Sequence, residues 1–298
     1  MKIGRILIIV MLCLIVIGGA FSVGSAVSFF ALSSNEDELY FLNKGNVALI
    51  SIEGEIFTSE KIIEELRLAK RDPSIKAVLL RLNSPGGAVG PSQEILEAVK
   101  DVKTVKPVLA SMAAIAASGA YYIACGATKI IANPGTITGS IGVIMTHFEV
   151  GNLLKWAKVS QETIKSGEYK NLFPLDRKLN VKERKFLQSI ILEIYEQFKN
   201  DVAELRHLDP NFVASVADGR IFTGVKAKEL GLIYEIGGYS KATEMIKEMA
   251  GIKGEVQFKE KKERQSFFRS FVEEAKLATK EASSVFGSDV YIPMFQSF

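Results

Sequence analysis

The feature that most constrains this chain is a stretch near its start with no charge at all. From Ile6 to Leu32 there are 27 consecutive positions without Asp, Glu, Lys or Arg. A bilayer core of about 30 Å needs about 20 helical residues, so the run is long enough to span. Lys2 and Arg5 precede it, and Glu36, Asp37 and Glu38 follow. The basic flank keeps the N-terminus cytoplasmic and places the rest outside. A cleaved signal peptide is the rival reading, with Gly24-Ser25-Ala26 as a small-residue cleavage site. The run exceeds the usual apolar core of such a leader, about 7–15 residues, which favours an uncleaved anchor. Residues 1–34 are therefore expected to be one transmembrane helix. Residues 35–253 form the folded domain, and 254–298 a charged amphipathic tail.

Composition sets limits on the chemistry. The 37 basic and 34 acidic residues leave a net charge of +3. Lys2 and Arg5 contribute two of those three charges, so the exported part is nearly neutral. That balance argues against nucleic-acid binding. Two Cys exclude a disulfide scaffold, and two His, His147 and His207, leave little room for a His-based site. No P-loop, dinucleotide fingerprint, H-E-x-x-H or G-x-S-x-G motif occurs. No metal and no cofactor is expected.

The exported part alternates strand and helix patterns. Strands are expected at 46–56, 76–82, 107–110, 129–132, 141–145 and 232–236. Helices are expected at 59–70 with Ser59 as N-cap, 91–102, 113–126, 151–159, 181–206, 225–230 and 240–249. This β-α order predicts parallel strands joined by crossover helices, an α/β fold.

Three loops can carry chemistry. Asn83-Ser84-Pro85-Gly86-Gly87 follows a strand, and its paired glycines allow backbone N–H groups to converge as an oxyanion hole requires. Ser118, followed by Gly119, can expose its hydroxyl near a helix start. Lys170 ends Ser166-Gly167-Glu168-Tyr169-Lys170. A free lysine titrates at about 10.4, so a catalytic one must be desolvated. A neutral amine can then take a serine proton. Taken singly, each segment has an ordinary structural explanation: a chain reversal, a packed serine, a surface lysine.

With Thr138-Gly139-Ser140-Ile141-Gly142-Val143 and Asp218-Gly219-Arg220-Ile221-Phe222-Thr223-Gly224, the segments stand in the order of a known family. The region from Asn46 to Ala250 resembles the bacterial signal peptide peptidase family of SppA type, in the ClpP/crotonase superfamily. Ala120 departs from the pattern, standing where many relatives carry a second glycine. The resemblance implies a ClpP/crotonase-like fold with parallel sheets and flanking helices. It implies Ser118 as nucleophile, Lys170 as general base and Ser140 as the residue that orients the lysine. Gly119 and one of Gly86 or Gly87, with Gly87 favoured, would supply the oxyanion hole. It further implies hydrophobic peptide substrates such as released signal peptides, and a homo-oligomeric ring in which Ser and Lys can come from adjacent subunits. The rival readings are a related Ser–Lys protease that cleaves a membrane partner's tail, a crotonase-type acyl-CoA enzyme, and a catalytically silent scaffold.

Overall fold

The computed structural model describes residues 45–261. The expected membrane anchor, and the tail from residue 262, lie outside the described residues. Among the described residues no helix is long and apolar enough to cross a membrane.

The strands are β1 Val47–Ile56, β2 Ala77–Gly87, β3 Val108–Ala117, β4 Lys129–Ala132, β5 Ile137–Gly139, β6 Ile221–Thr223, β7 Glu235–Ile236 and β8 Phe258–Lys259. The helices are α1 Glu60–Arg71, α2 Val89–Lys103, α3 Gly119–Cys125, α4 Gly151–Trp156, α5 Val181–Arg206, α6 Pro210–Val216, α7 Gly224–Glu229 and α8 Tyr239–Met249. The sheet order is β6-β5-β3-β2-β1-β8, with β4 beside β3 and β7 beside β4. Every pairing is parallel except β5 with β6.

The sheet separates two apolar layers. Side chains alternate along a strand, so Val78 and Leu80 face one layer and Ala77 and Leu79 the other. The first layer is closed by α1, α2, α3 and α5, with Leu66, Ile95, Val99, Tyr121 and Val202 inside it. The second is closed by α8 through Ala242, Met245 and Ile246. Strands covered on both faces become near-continuous apolar runs, which is why the first parts of β2 and β3, up to Leu82 and Ala110, were readable from sequence.

Strand β3 positions the site because it divides its partners. Leu109–Met112 pair with Lys129–Ala132 of β4, whereas Ile115–Ala117 pair with Ile137–Gly139 of β5.

Several expectations require correction. Ala113–Ala117 is strand, and the helix expected over 113–126 begins only at Gly119. Small alanines fit a crowded two-sided sheet as well as a helix, so residue type did not decide. Strand β2 continues to Gly87, through the segment read as a loop. Ile141–Met145 forms no strand; the strand that pairs with the end of β3 is Ile137–Gly139, which was not expected. Ser59 occupies the N-cap of α1, but its hydroxyl donates to the Glu94 carboxylate and caps no helix N–H. Strand β8 lies beyond the boundary expected at 253, and pairs with β1. Lys259 is buried there and donates to Asp72 at 2.7 Å. Burial alone would raise the Asp72 carboxyl, but hydrogen bonds from Lys259 and Ser74 outweigh it and hold the group below its ordinary value.

Candidate active site

Three parallel strands, β2, β3 and β5, end at one edge of the sheet. Ligands of parallel sheets gather at such carboxyl ends. Ser84 pairs with Ala116, and Ala117 with Gly139. The residues next along each strand therefore emerge side by side: Gly86 and Gly87, Ser118, and Ser140.

Ser118 sits between β3 and α3 with φ 52 and ψ −122. A non-glycine residue held there costs about 1–3 kcal/mol and persists only where its surroundings determine it. Here the Ser118 N–H donates to Gly139 O at 2.9 Å, and its carbonyl accepts from Tyr122 N at 2.9 Å. The side chain is half-buried. Ser140 also has φ 52, and its N–H donates to Arg220 O at 2.9 Å.

The glycines are required by space as well as by conformation. At Gly86, φ is 103, and a Cβ would lie 2.7 Å from Gly119 N and 2.8 Å from Ala117 O. At Gly87 a Cβ would collide with the Ile56 backbone. A Cβ on Gly119 would lie 3.3 Å from Gly87 N, which shows how closely these two glycines approach. The Gly86 N–H already donates to Ser84 Oγ at 3.1 Å.

These groups line a cleft of about 580 Å³. Its apolar wall comes from Val89, Tyr122 and one face of α5 (Ile191, Ile194, Tyr195, Phe198). Tyr122 packs edge-on against Phe198, with centroids 4.7 Å apart. Its hydroxyl donates to Asp201. Burial first, then that carboxylate, push the phenol far above its ordinary range, so it stays a neutral donor. Asp218 lines the same cleft, and the Arg220 guanidinium bonded to it holds its carboxyl down to about 2.

The fold thus brings together Gly86, Gly87, Ser118, Gly119 and Ser140. It leaves Lys170 apart. Lys170 is exposed on a turn, its N–H donating to Gly167 O, and does not line the cleft. The segment carrying it, residues 143–175, is regular only in α4 and presents large apolar side chains outward. Ile144, Trp156 and Ile164 are 91%, 81% and 92% exposed. His147 and His207 lie outside the cleft; His207 has φ 55 and ends α5. Among the described residues no cluster could hold a metal ion.

The wall that α5 contributes carries no loop motif and was not expected. Its signal was present: Ile191, Ile194, Tyr195 and Phe198 recur at helical spacing, which otherwise reads as ordinary core.

The sequence model of peptidase family S49 matches residues 100–253, and that of Clp protease matches residues 33–138. With the mixed sheet and flanking helices, the latter fits a ClpP-like fold. The chain is 41% identical over 208 residues to a protein of Synechocystis sp. that carries a protease name, covering 69% of this chain and 75% of that one. It is 37% identical over 194 residues to a protein of Enterococcus faecium that carries the name signal peptide peptidase SppA, covering 65% and 56%. It is 34% identical over 204 residues to the chloroplastic serine protease SPPA of Arabidopsis thaliana, covering 68% and 30%.

Proposed function

The chain belongs to peptidase family S49 and is a serine peptidase, and from that premise we propose a membrane-anchored endopeptidase that hydrolyses short hydrophobic peptides through Ser118 and Lys170. What supports this most is the convergence of Ser118, Ser140 and the paired glycines on one apolar-walled cleft. Substrates of the kind left by cleaved signal sequences suit that wall. The uncharged run at 6–32 anchors the chain, with the catalytic domain outside the cytoplasmic membrane.

Ser118 Oγ attacks the scissile carbonyl while the Lys170 amine accepts its proton. The oxyanion that forms is held by the N–H groups of Gly87 and Gly119. Gly87 takes this role over Gly86, whose N–H is engaged by Ser84. Collapse breaks the C–N bond, and Lys170 returns the proton to the leaving amine. Water, deprotonated by the same lysine, then releases the acyl group from Ser118. Ser140 hydrogen-bonds the lysine amine and orients it.

Lys170 reaches the cleft from a second copy of the chain. Its segment exposes Trp156 and Ile164 away from the cleft, which a neighbouring subunit would cover. The same covering desolvates the lysine, which its role as a base requires. A head-to-tail contact of this kind closes into a ring.

The test is a digest of a short hydrophobic peptide by wild type, Ser118→Ala and Lys170→Ala proteins. Each variant is expected to lose at least about 10³-fold in kcat/KM. Undiminished cleavage by Lys170→Ala would remove the dyad. Full physiological function in a Ser118→Ala strain would favour the scaffold reading.

A further inference from the structure

We infer that Glu55 selects substrates with a basic side chain beside the apolar segment, on the β1 side of the oxyanion donors. The inference rests on the reading of the cleft given above.

The charge inventory of the cleft motivates it. Glu55 and Asp218 are its carboxylates, and among the described residues no Lys, Arg or His lines it. Asp218 is matched by Arg220, whose Nε donates to it at 2.7 Å. Glu55 makes no ion pair or side-chain hydrogen bond among the described residues, and its side chain is exposed. Within one chain, one carboxylate in the cleft therefore remains uncompensated.

Its position is set by an irregularity in the sheet. β1 and β2 pair in steady register up to Glu53 with Asn83. The ladder then slips by one residue, so Glu55 pairs with Gly86 and Ile56 with Gly87. Gly54, between them, has φ 69. Such irregularities re-aim side chains and recur beside active sites. Here the slip sets a carboxylate against the first of the two glycines, one residue before the partner of Gly87. A peptide whose carbonyl oxygen points at the Gly87 and Gly119 N–H groups would then lie in the cleft that this carboxylate lines, on its β1 side.

An exposed carboxylate contributes modestly, and its effect is screened by salt. The experiment uses peptides with one apolar core carrying Lys, Gln or Glu at each flanking position in turn. Wild type, Glu55→Gln and Glu55→Lys full-length proteins are compared by kcat/KM. Wild type is expected to prefer Lys over Glu at one position by about three- to tenfold at low salt. Glu55→Gln should level that preference, and Glu55→Lys should invert it. The preference should shrink towards unity at about 1 M salt, where the Debye length is about 3 Å. Ser118-dependent cleavage with no Lys preference at any position, or a preference that persists in Glu55→Lys, overturns the inference alone. Cleavage that survives Ser118→Ala overturns the reading of the site and this inference with it.

Discussion

Ser118 and Ser140 share a left-handed backbone, each with φ 52, and each has its N–H fixed by a carbonyl of a neighbouring segment. The two hydroxyl-bearing residues are thereby presented at the strand ends with little freedom. If Ser140 orients the base as proposed, Ser140→Ala should lower kcat by about 10- to 100-fold while leaving KM and the melting temperature near wild type. Steady-state kinetics beside a thermal melt check this. Gly86→Ala should fail more broadly, since its Cβ meets Gly119 N and Ala117 O and its φ of 103 disfavours any side chain. Cys125 offers a separate check. It is buried, and burial pushes its thiol up to about 12. In a Cys13→Ser chain it should resist a thiol reagent until the protein unfolds; rapid labelling of native protein would contradict its placement. At this scale the sequence was most readable. Gly86, Gly87, Ser118 and Ser140 stand in short motifs that are ordinary singly and point to one site only through their order along the chain. Glu55 carries no motif and acquires its place only from a slip in register.

Helix α5 was legible over its full length, Val181 to Arg206, because its amphipathic spacing is long and uninterrupted. Its start is a capping box: Asn180 Oδ1 accepts from Glu183 N at 2.9 Å, and the Glu183 carboxylate accepts from Asn180 N at 2.8 Å. Asn180→Ala should cost about 1 kcal/mol of stability, measured by denaturant titration. Glu183 is also bonded by Arg177, and first that guanidinium, then the Asn180 N–H, hold its carboxyl down to about 2 against an ordinary value of 4.5. A carboxyl lowered on folding stabilises above its unfolded value and loses that contribution as pH falls through the folded one. Wild type should therefore lose stability relative to Glu183→Gln between about pH 4.5 and about pH 2, and the two curves should run parallel above that window. Other elements were harder to read for physical reasons. The alanines of 113–117 are compatible with strand or helix, and only pairing with β2 and β5 decides. Ile141–Met145 is apolar enough for a strand, yet among the described residues no strand pairs with it, and Ile144 and Met145 face outward.

The whole molecule separates the residues of the proposed mechanism. The sheet edge gathers Ser118 with Gly86, Gly87 and Gly119, while the segment bearing Lys170 presents apolar side chains outward. Sequence motifs pointed to both groups of residues but carried no information about which chain would complete which site. Trp156→Asp with Ile164→Asp should shift the protein to a smaller species in sedimentation velocity and reduce kcat/KM by at least about 100-fold, with the melting transition of the fold retained. Unchanged sedimentation would leave that apolar surface without its proposed partner. The claim that joins residue, element and assembly is that Ser118 of one chain works with Lys170 of another. The most direct measurement is to mix Ser118→Ala and Lys170→Ala chains, reassemble them and assay peptide hydrolysis. The account predicts that two inactive parents recover about a quarter of wild-type activity, the share of head-to-tail contacts that unite an intact Ser118 with an intact Lys170 under random mixing. Activity no higher than that of either parent, in a mixture shown to have co-assembled, would contradict it.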